Sequence, residues 1–456
     1  MSIGASPSLK TIAGLVGDIA PHAMSEMRGI NFVTGNSPTI EAISLSDFRN
    51  QVIASAWTVQ ARLARLTSLE GRDYFGASVS ISGDGNTAIV GAYEYNNFLS
   101  SMPDTGKAYI FVRSGTSWSE QTMFRASDAI REDEFGRSVS ISEDGNTAIV
   151  GAPLEDNNSP TFNDTTNYHF GAAYIFVRSG TSWSQQQKLT ASDRQTNGYF
   201  GTSVSISEDG NTAIVGASGV SSNAGAIYIF TRSGTSWSQE ARLQVSSRND
   251  RFGASVSISG DGNTAVVGAP GLYQTGMAYI FARSGTSWSE QGRTSSLSVF
   301  GTTVGSGVSI SGDGNTTIVG AGNSNRVYIL VRSGTSWSEQ ASFQSSDVGG
   351  GDNFGGSVSI STDGNTAIVG ASGDDDGGGT TSNTGAAYIF KRSGTSWSQE
   401  RKIRELGRPT YLLSQFFGTS VSISGDGNTT IVGMPLDDYD DTDSGSALIY
   451  TGSYFI

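Results

Sequence analysis

Nucleophile–base arrangements have little to draw on in this chain of 456 residues. There is no cysteine, and the only histidines are His22 and His169. No G-x-S-x-G elbow occurs, and no glycine-rich loop leads into a helix. Carboxylates remain. A pair of them can hydrolyse a glycoside, but the spacing singles out no pair, so no catalytic residue is assigned and the chain reads as non-enzymatic. Two acidic loops are candidates for a cation: Asp374, Asp375 and Asp376 among glycines, and the denser set Asp437, Asp438, Asp440, Asp441 and Asp443. Oxygen donors in flexible loops suit calcium rather than zinc or copper, which makes Ca2+ the cofactor these residues admit. Against it, no D-x-D-x-D-G run with a distal Glu is present, and a solvated cluster is the competing reading.

A third set of acids recurs in the turn x-Asp-Gly-Asn-Thr, at Asp84, Asp144, Asp209, Asp261, Asp313, Asp363 and Asp426. Each copy has one carboxylate, except that Glu143 and Glu208 precede the aspartate in two of them. A lone carboxylate bonded to its own turn backbone accounts for the pattern. The turn belongs to a longer repeat, FGASVSISGDGNTAIVGA, beginning at Phe75, Phe135, Phe200, Phe252, Phe354 and Phe417. A looser copy starts at Phe300 with extra residues before its VSIS. Repetition on this scale identifies a repeat architecture before domain count or motifs are considered.

The elements that position these residues can be placed in order. SVSIS alternates apolar and small residues, the period of a strand, and Asp-Gly turns it into NTAIVGA. AAYIFVRS is β-branched and aromatic on both faces, as for a strand packed from two sides. SGT turns the chain again into the amphipathic SWSQEARL. Four antiparallel strands per unit, closed radially, make a propeller blade. The segment around Trp57 is a fourth strand with no first block before it, and the copy from Phe417 lacks its Trp segment. These two deficits complement each other and predict a closed ring, where a solenoid would need distinct caps. The expected fold is all-β: a seven-bladed β-propeller over residues 53–456. The repeated Trp, Tyr and Phe read as interblade packing, with sugar platforms as the alternative.

In such a meander the 1–2 and 3–4 turns share one face of the ring, and here they are nearly identical in every copy. The 2–3 and 4–1 loops share the other face and diverge. Divergent loops on a rigid scaffold are where binding resides, with unselected drift as the competing account. The residues chosen there are Tyr93, Tyr95, Glu155, Asp156, Tyr168, Tyr273, Asp374, Asp375, Asp376 and Tyr439. A net charge of −14 disfavours nucleic acid and anionic lipid, and leaves neutral glycans, basic surfaces or cation-bridged partners. No run approaches the ~18 apolar residues of a membrane span, so no membrane insertion is expected. The N-terminus makes a poor signal peptide, with Lys10 its only early base and Asp18 interrupting the apolar run. Residues 1–52 are too few to fold alone and are expected to dock on the propeller or another subunit, with Met27, Phe32, Ile43 and Phe48 as anchoring side chains. A disordered leader is the other reading.

The Phe-Gly opening each block, and Gly-Ala-Pro or a variant after the second strand, resemble FG-GAP repeats, the units of the integrin-α-type seven-bladed propeller. The resemblance spans about residues 53–456. It implies that SVSIS lines the central channel and that the Trp strand lies outermost. That family often carries a calcium loop in the first hairpin; here the turn is shorter and holds one carboxylate, so its metal residues are not carried over. The leader, EMRGINFVTGNSPTIEAISLSDFRNQ and above all ISLSDFR, resembles N-terminal anchoring segments of virion appendage proteins of tailed phages and large algal viruses. This resemblance implies a virion surface or fibre-like protein that meets other structural proteins through residues 1–52 and a host-surface glycan or protein through its loops, and it is compatible with a homo-oligomer. A cell-surface or secreted adhesion propeller is the alternative, and a hydrolase using the acidic loops a third.

Overall fold

The computed structural model describes residues 56–64, 73–93, 105–129, 132–156, 168–245, 249–271, 276–294, 303–347, 349–375, 383–405, 415–437 and 444–453. The anchoring candidates Met27, Phe32, Ile43 and Phe48 lie outside them. Among the described residues, 28 strands form seven four-stranded antiparallel sheets arranged as blades around an axis. Blade 1 runs from the inner strand Ser78–Ile81 through Thr87–Ala92 and Lys107–Ser114 to the outer strand Ser117–Phe124. The inner strand alternates half-buried Ser with buried Val and Ile, the next is buried throughout, and the outer one is mostly half-exposed. Blades 2 to 6 repeat that order. In blade 7 the outer strand is Ala56–Leu63, which pairs with Ser446–Ser453 from Ala56↔Ser453 to Leu63↔Ala447. The ring therefore closes through both ends of the repeat, as the two deficits required. Among the described residues no helix is long and apolar enough to cross a membrane.

The core lies between blades. One cluster joins Ile89 and Ile110 of blade 1 to Phe135, Val139 and Tyr174 of blade 2. The Phe opening each repeat is fully buried, and Phe75 sits 5.3 Å from Tyr109 and edge-on to Phe111 at 6.0 Å. The glycine after it has a left-handed backbone, φ +89° at Gly76, where a Cβ would stand 2.3 Å from the Ser446 carbonyl. In blade 5 this position is not Phe300-Gly301 but Val304-Gly305. Val304 pairs with Ala321 as Phe200 pairs with Ala217, and Gly305 has φ +87°. The register of VSIS against the second strand decides the matter: any apolar residue at that distance is buried, and Val304 is.

Hydrogen bonds stitch the blades around the axis. The residue before each turn Asp gives its N–H to the carbonyl of its counterpart in the next blade, from Gly83 to Glu143, Glu208, Gly260, Gly312, Thr362, Gly425 and back to Gly83, at 2.9–3.2 Å. One layer away, the second Ser of each SVSIS accepts the N–H of the next blade's Ile, at 3.2–3.3 Å, seven times around. The first Ser donates to the next blade's FG glycine carbonyl at 2.8 Å in six blades. Blade 5 has Gly307 there, and Ser306 makes the bond instead at 3.1 Å. At the rim, the register slips in every outer strand, so that Gln121, for instance, is left unpaired between Glu120 and Thr122. Such a bulge turns a side chain outward, and Gln121 accepts from Trp183 Nε1 of the next blade at 2.9 Å. Gln60, Gln186, Glu240 and Gln340 serve Trp118, Trp237, Trp288 and Trp397 in the same way. The repeated Trp is a rim fastener, in keeping with interblade packing.

The glycine of each VGA marks the closest approach between blades: a Cβ on Gly216 would stand 2.0 Å from the Gly253 carbonyl, whereas one on Gly234 in the exposed turn meets nothing within 4 Å. Gly216→Ala should therefore lower stability by about 3 kcal/mol. Gly234→Ala, which suffers only its left-handed backbone, should cost about 1 kcal/mol. Denaturant midpoints of the two variants check this.

Candidate functional site

On the uniform face, the turn chemistry is repeated sevenfold. Asp84 Oδ1 accepts from Ser82 Oγ at 2.5 Å and from the Asn86 N–H at 2.9 Å, while Oδ2 takes the Asn86 amide at 3.1 Å. Ser82 Oγ in turn accepts the Thr87 N–H. The same set closes the turns at Asp144, Asp209, Asp261, Asp313, Asp363 and Asp426. Burial pushes these carboxyls up, but the bonds from Ser and Asn outweigh it and hold Asp209, like five of its counterparts, below the ordinary 3.8. The aspartate is occupied as a turn former. Five of the RSGT arginines bind their own turn, Arg113 Nε donating to the Gly115 carbonyl at 2.9 Å, whereas Arg283 pairs with Glu240 of the preceding blade; Arg332 and Arg392 also reach Thr264 and Thr316 of the preceding blade. Among the described residues no group of three or more His, Cys, Asp or Glu is placed to hold a metal ion.

Three acids expected as exposed loop ligands are instead buried in ion pairs. Glu155, Asp374 and Asp437 each lie three residues past the end of a second strand and are at most 2% exposed. Glu155 meets Lys188 at 2.7 Å and Arg194 at 2.9 Å; Asp374 meets Lys402 at 2.9 Å and accepts from Tyr388; Asp437 is held by Arg62 and by Ser446 at 2.6 Å. The cations share one place on the outer strand, in QQQKL, QERKI and VQARL. Lys188 and Lys402 also take Asp128 and Asp347 from the preceding blade at 2.6 and 2.7 Å, so each clasp spans two blades. Burial raises Asp347, but the bonds from Lys402 and Tyr388 hold its carboxyl below the usual range. The loop acids fold back because a carboxylate in a closed 2–3 loop reaches a cation sooner than it reaches solvent. Asp375, half-buried beside Asp374, adds its charge to those of Asp347 and Asp374 around Asp352, whose carboxyl is raised mainly by burial. Tyr95, Tyr273, Asp376 and Tyr439, with Asp438, Asp440, Asp441 and Asp443, lie outside the described residues.

The structure gathers the remaining candidates on the variable-loop face near blades 1 to 3. Tyr93 stacks on Tyr74 at 5.3 Å and lies 4.4 Å from the Arg137 guanidinium of blade 2. Tyr168 is 42% exposed and stacks on Phe170 at 5.4 Å, with Arg194 5.2 Å from the Phe170 ring. Asp156 accepts the His169 N–H, and burial raises its carboxyl; His169 in turn stands edge-on to Tyr199 at 5.7 Å. This corner also concentrates left-handed backbone at residues other than glycine: His169 (+47°), Asn197 (+56°), Tyr199 (+54°), Ser221 (+53°), Ser222 (+61°) and Asn223 (+66°). Tyr199 belongs to a wider set, since Tyr74, Glu134, Arg251, Asn353 and Phe416 also precede the Phe-Gly position with φ of +52° to +58°. The backbone there is uniform while the side chain changes from blade to blade. Sequence reading missed this set; the residue before each FG varies visibly, but its conformation does not show in the letters.

Seven four-stranded blades fastened around an axial channel define a β-propeller. The chain belongs to the FG-GAP repeat family, which matches residues 57–111, 118–176, 183–230, 237–281, 337–390 and 412–450. Five of these stretches begin at a rim Trp and end in the third strand of the next blade, so the repeat unit is offset from the blade by one strand. The unmatched stretch between residues 281 and 337 contains the Val304-Gly305 variant. No curated protein matches the chain. A propeller of this family is compatible with a binding or adhesion role.

The lowered turn carboxyls contribute stability that is present above the ordinary 3.8 and lost as pH falls through their lower folded values. Asp209→Asn should therefore melt below the parent at pH 7, and the gap should close by about pH 2. Lys402→Met removes the cation shared by Asp347 and Asp374. It should cost about 2–3 kcal/mol by denaturant midpoint, with Lys402→Arg avoiding most of that loss.

Proposed function

We propose that this chain is a non-enzymatic binding protein whose variable-loop face docks on a glycan or protein of a host surface, with the corner around Tyr168 as its contact. The observation that carries the reading is the concentration there of left-handed backbone at residues that carry side chains. Each such residue costs roughly 1–2 kcal/mol that glycine would avoid, and sixty glycines show that this sequence uses glycine freely. Tyr199 and His169 at these positions are accounted for by what the side chains meet. An exposed Tyr168 backed by Phe170 suits the apolar face of a sugar, and its carbonyl is tied to Asn197 in the loop leading to the next blade, whose amide can meet a hydroxyl rim. The charge of −14 favours a neutral glycan over a sulfated or sialylated one. The chain would be carried as a virion surface or fibre-like component, residues 1–52 engaging other structural proteins. The FG-GAP repeat supports an adhesion propeller on a cell surface as the alternative.

A neutral-glycan array and host-cell binding by the purified chain test the contact. Tyr168→Ala is expected to weaken binding about tenfold, about 1.4 kcal/mol, with Tyr168→Phe close to the parent. Unchanged binding by Tyr168→Ala overturns the assignment of this corner. Antibody labelling decides the carrier: signal on purified particles supports the virion reading, and signal on cell surfaces the alternative.

A further inference from the structure

The seven-bond backbone ring on the uniform face surrounds a cavity of about 120 Å³ collared by the inner-strand isoleucines. Of the seven residues forming it, four are glycine, one is Thr362, and two are Glu143 and Glu208. The sizes are complementary. The Glu208 carboxyl lies where a Cβ on Gly260 or Gly312 would be, 2.2 and 2.0 Å from its nearest atoms, and the Glu143 side chain lies equally close over Gly83. Glu208 Oε1 accepts from Thr362 Oγ1 at 3.1 Å, three blades further round the mouth, and Glu143 Oε1 and the same Thr362 Oγ1 both stand over Gly425, so the two carboxyls come within reach of each other. Two carboxyl groups can share a hydrogen bond only when one of them keeps a proton.

We propose that Glu143 and Glu208 are a proton-operated latch: sharing one proton, they bridge the channel mouth to Thr362 and close it, and losing that proton, they repel and release it. The electrostatics agree with the geometry. Burial first, then the bond to Glu143 and its charge, raise Glu208 to about 7, with Asp261 of blade 4 adding to the rise and Thr362 opposing it. The remaining ring positions are glycine and Thr362, and the collar beneath is isoleucine, so none carries a charge that offsets the pair. The folded value lies above the ordinary 4.5. The latch therefore contributes its full stability below that ordinary value and loses it as pH rises through the folded one.

Melting curves between pH 5 and 8.5 for the parent, Glu208→Gln and Glu143→Gln test this. An amide donates without a proton to lose, so the parent should gain on both variants as pH falls through neutrality, and each variant should melt above the parent at pH 8.5. Amide exchange of the ring residues, corrected for the intrinsic rate, should show protection in the parent falling about tenfold from pH 6 to 8.5 and staying level in either variant. Parallel melting curves, or equal loss of protection in all three proteins, would overturn the latch. Both readouts separate Glu208 from the remaining acids and from His169, which the variants retain.

Discussion

At the axis each blade is held to the next by the two serines of its inner strand and by the backbone ring beyond them, and the rest of the molecule is arranged around that constraint. A blade alone has an edge strand at its axis with unpaired N–H and C=O groups, which is costly to leave dry and hazardous to leave open. Here the inner strand does not pair edge to edge. Its serines accept the N–H of the neighbouring isoleucine and donate to the neighbouring glycine carbonyl, and the turn beyond it closes a backbone ring. Serine is small enough for blades to converge on an axis and carries both a donor and an acceptor. That is why the motif is SVSIS rather than a plain apolar alternation.

The same constraint divides the two faces. The Asp-Gly turns on the uniform face sit where the blades converge, and their Ser, Asp and Asn groups bond one another in the same way in every copy, so divergence there would disturb a ring. Loops on the other face are tied at their ends, among other bonds by the bridge between the glycine before the third strand and the next blade's Phe, as in Gly106↔Phe135. Between those ties the chain is free to vary. The clasps show the limit of that freedom: Glu155, Asp374 and Asp437 stand in the divergent loops, yet they serve the scaffold because a cation on the outer strand lies within reach.

Glu143 and Glu208 are departures within the uniform set, and they matter because of what surrounds them. A glutamate in one turn of a sevenfold ring would sit over a neighbour; four glycines leave it room, and a second glutamate and a threonine meet it. The letters show two exceptions, but they do not show that exceptions in adjacent blades converge on one axis.

Chain order alone determined the architecture: the period of the repeat, strand alternation around Asp-Gly, and the complementary deficits at Trp57 and Phe417 specify seven blades and their closure, since these are local patterns that only one topology satisfies. It also determined that the turn aspartates are structural, because one carboxylate cannot complete a calcium shell. Tertiary structure decided what depends on distance across the chain. It placed Val304 rather than Phe300 in the buried slot, because strand register and not the dipeptide sets that position. It turned three loop acids into clasps, because their cations lie on strands remote in sequence. It gathered Tyr168, Tyr199 and the left-handed turn at Ser221–Asn223 at one corner, because side-chain direction there follows backbone conformation, which residue type leaves open.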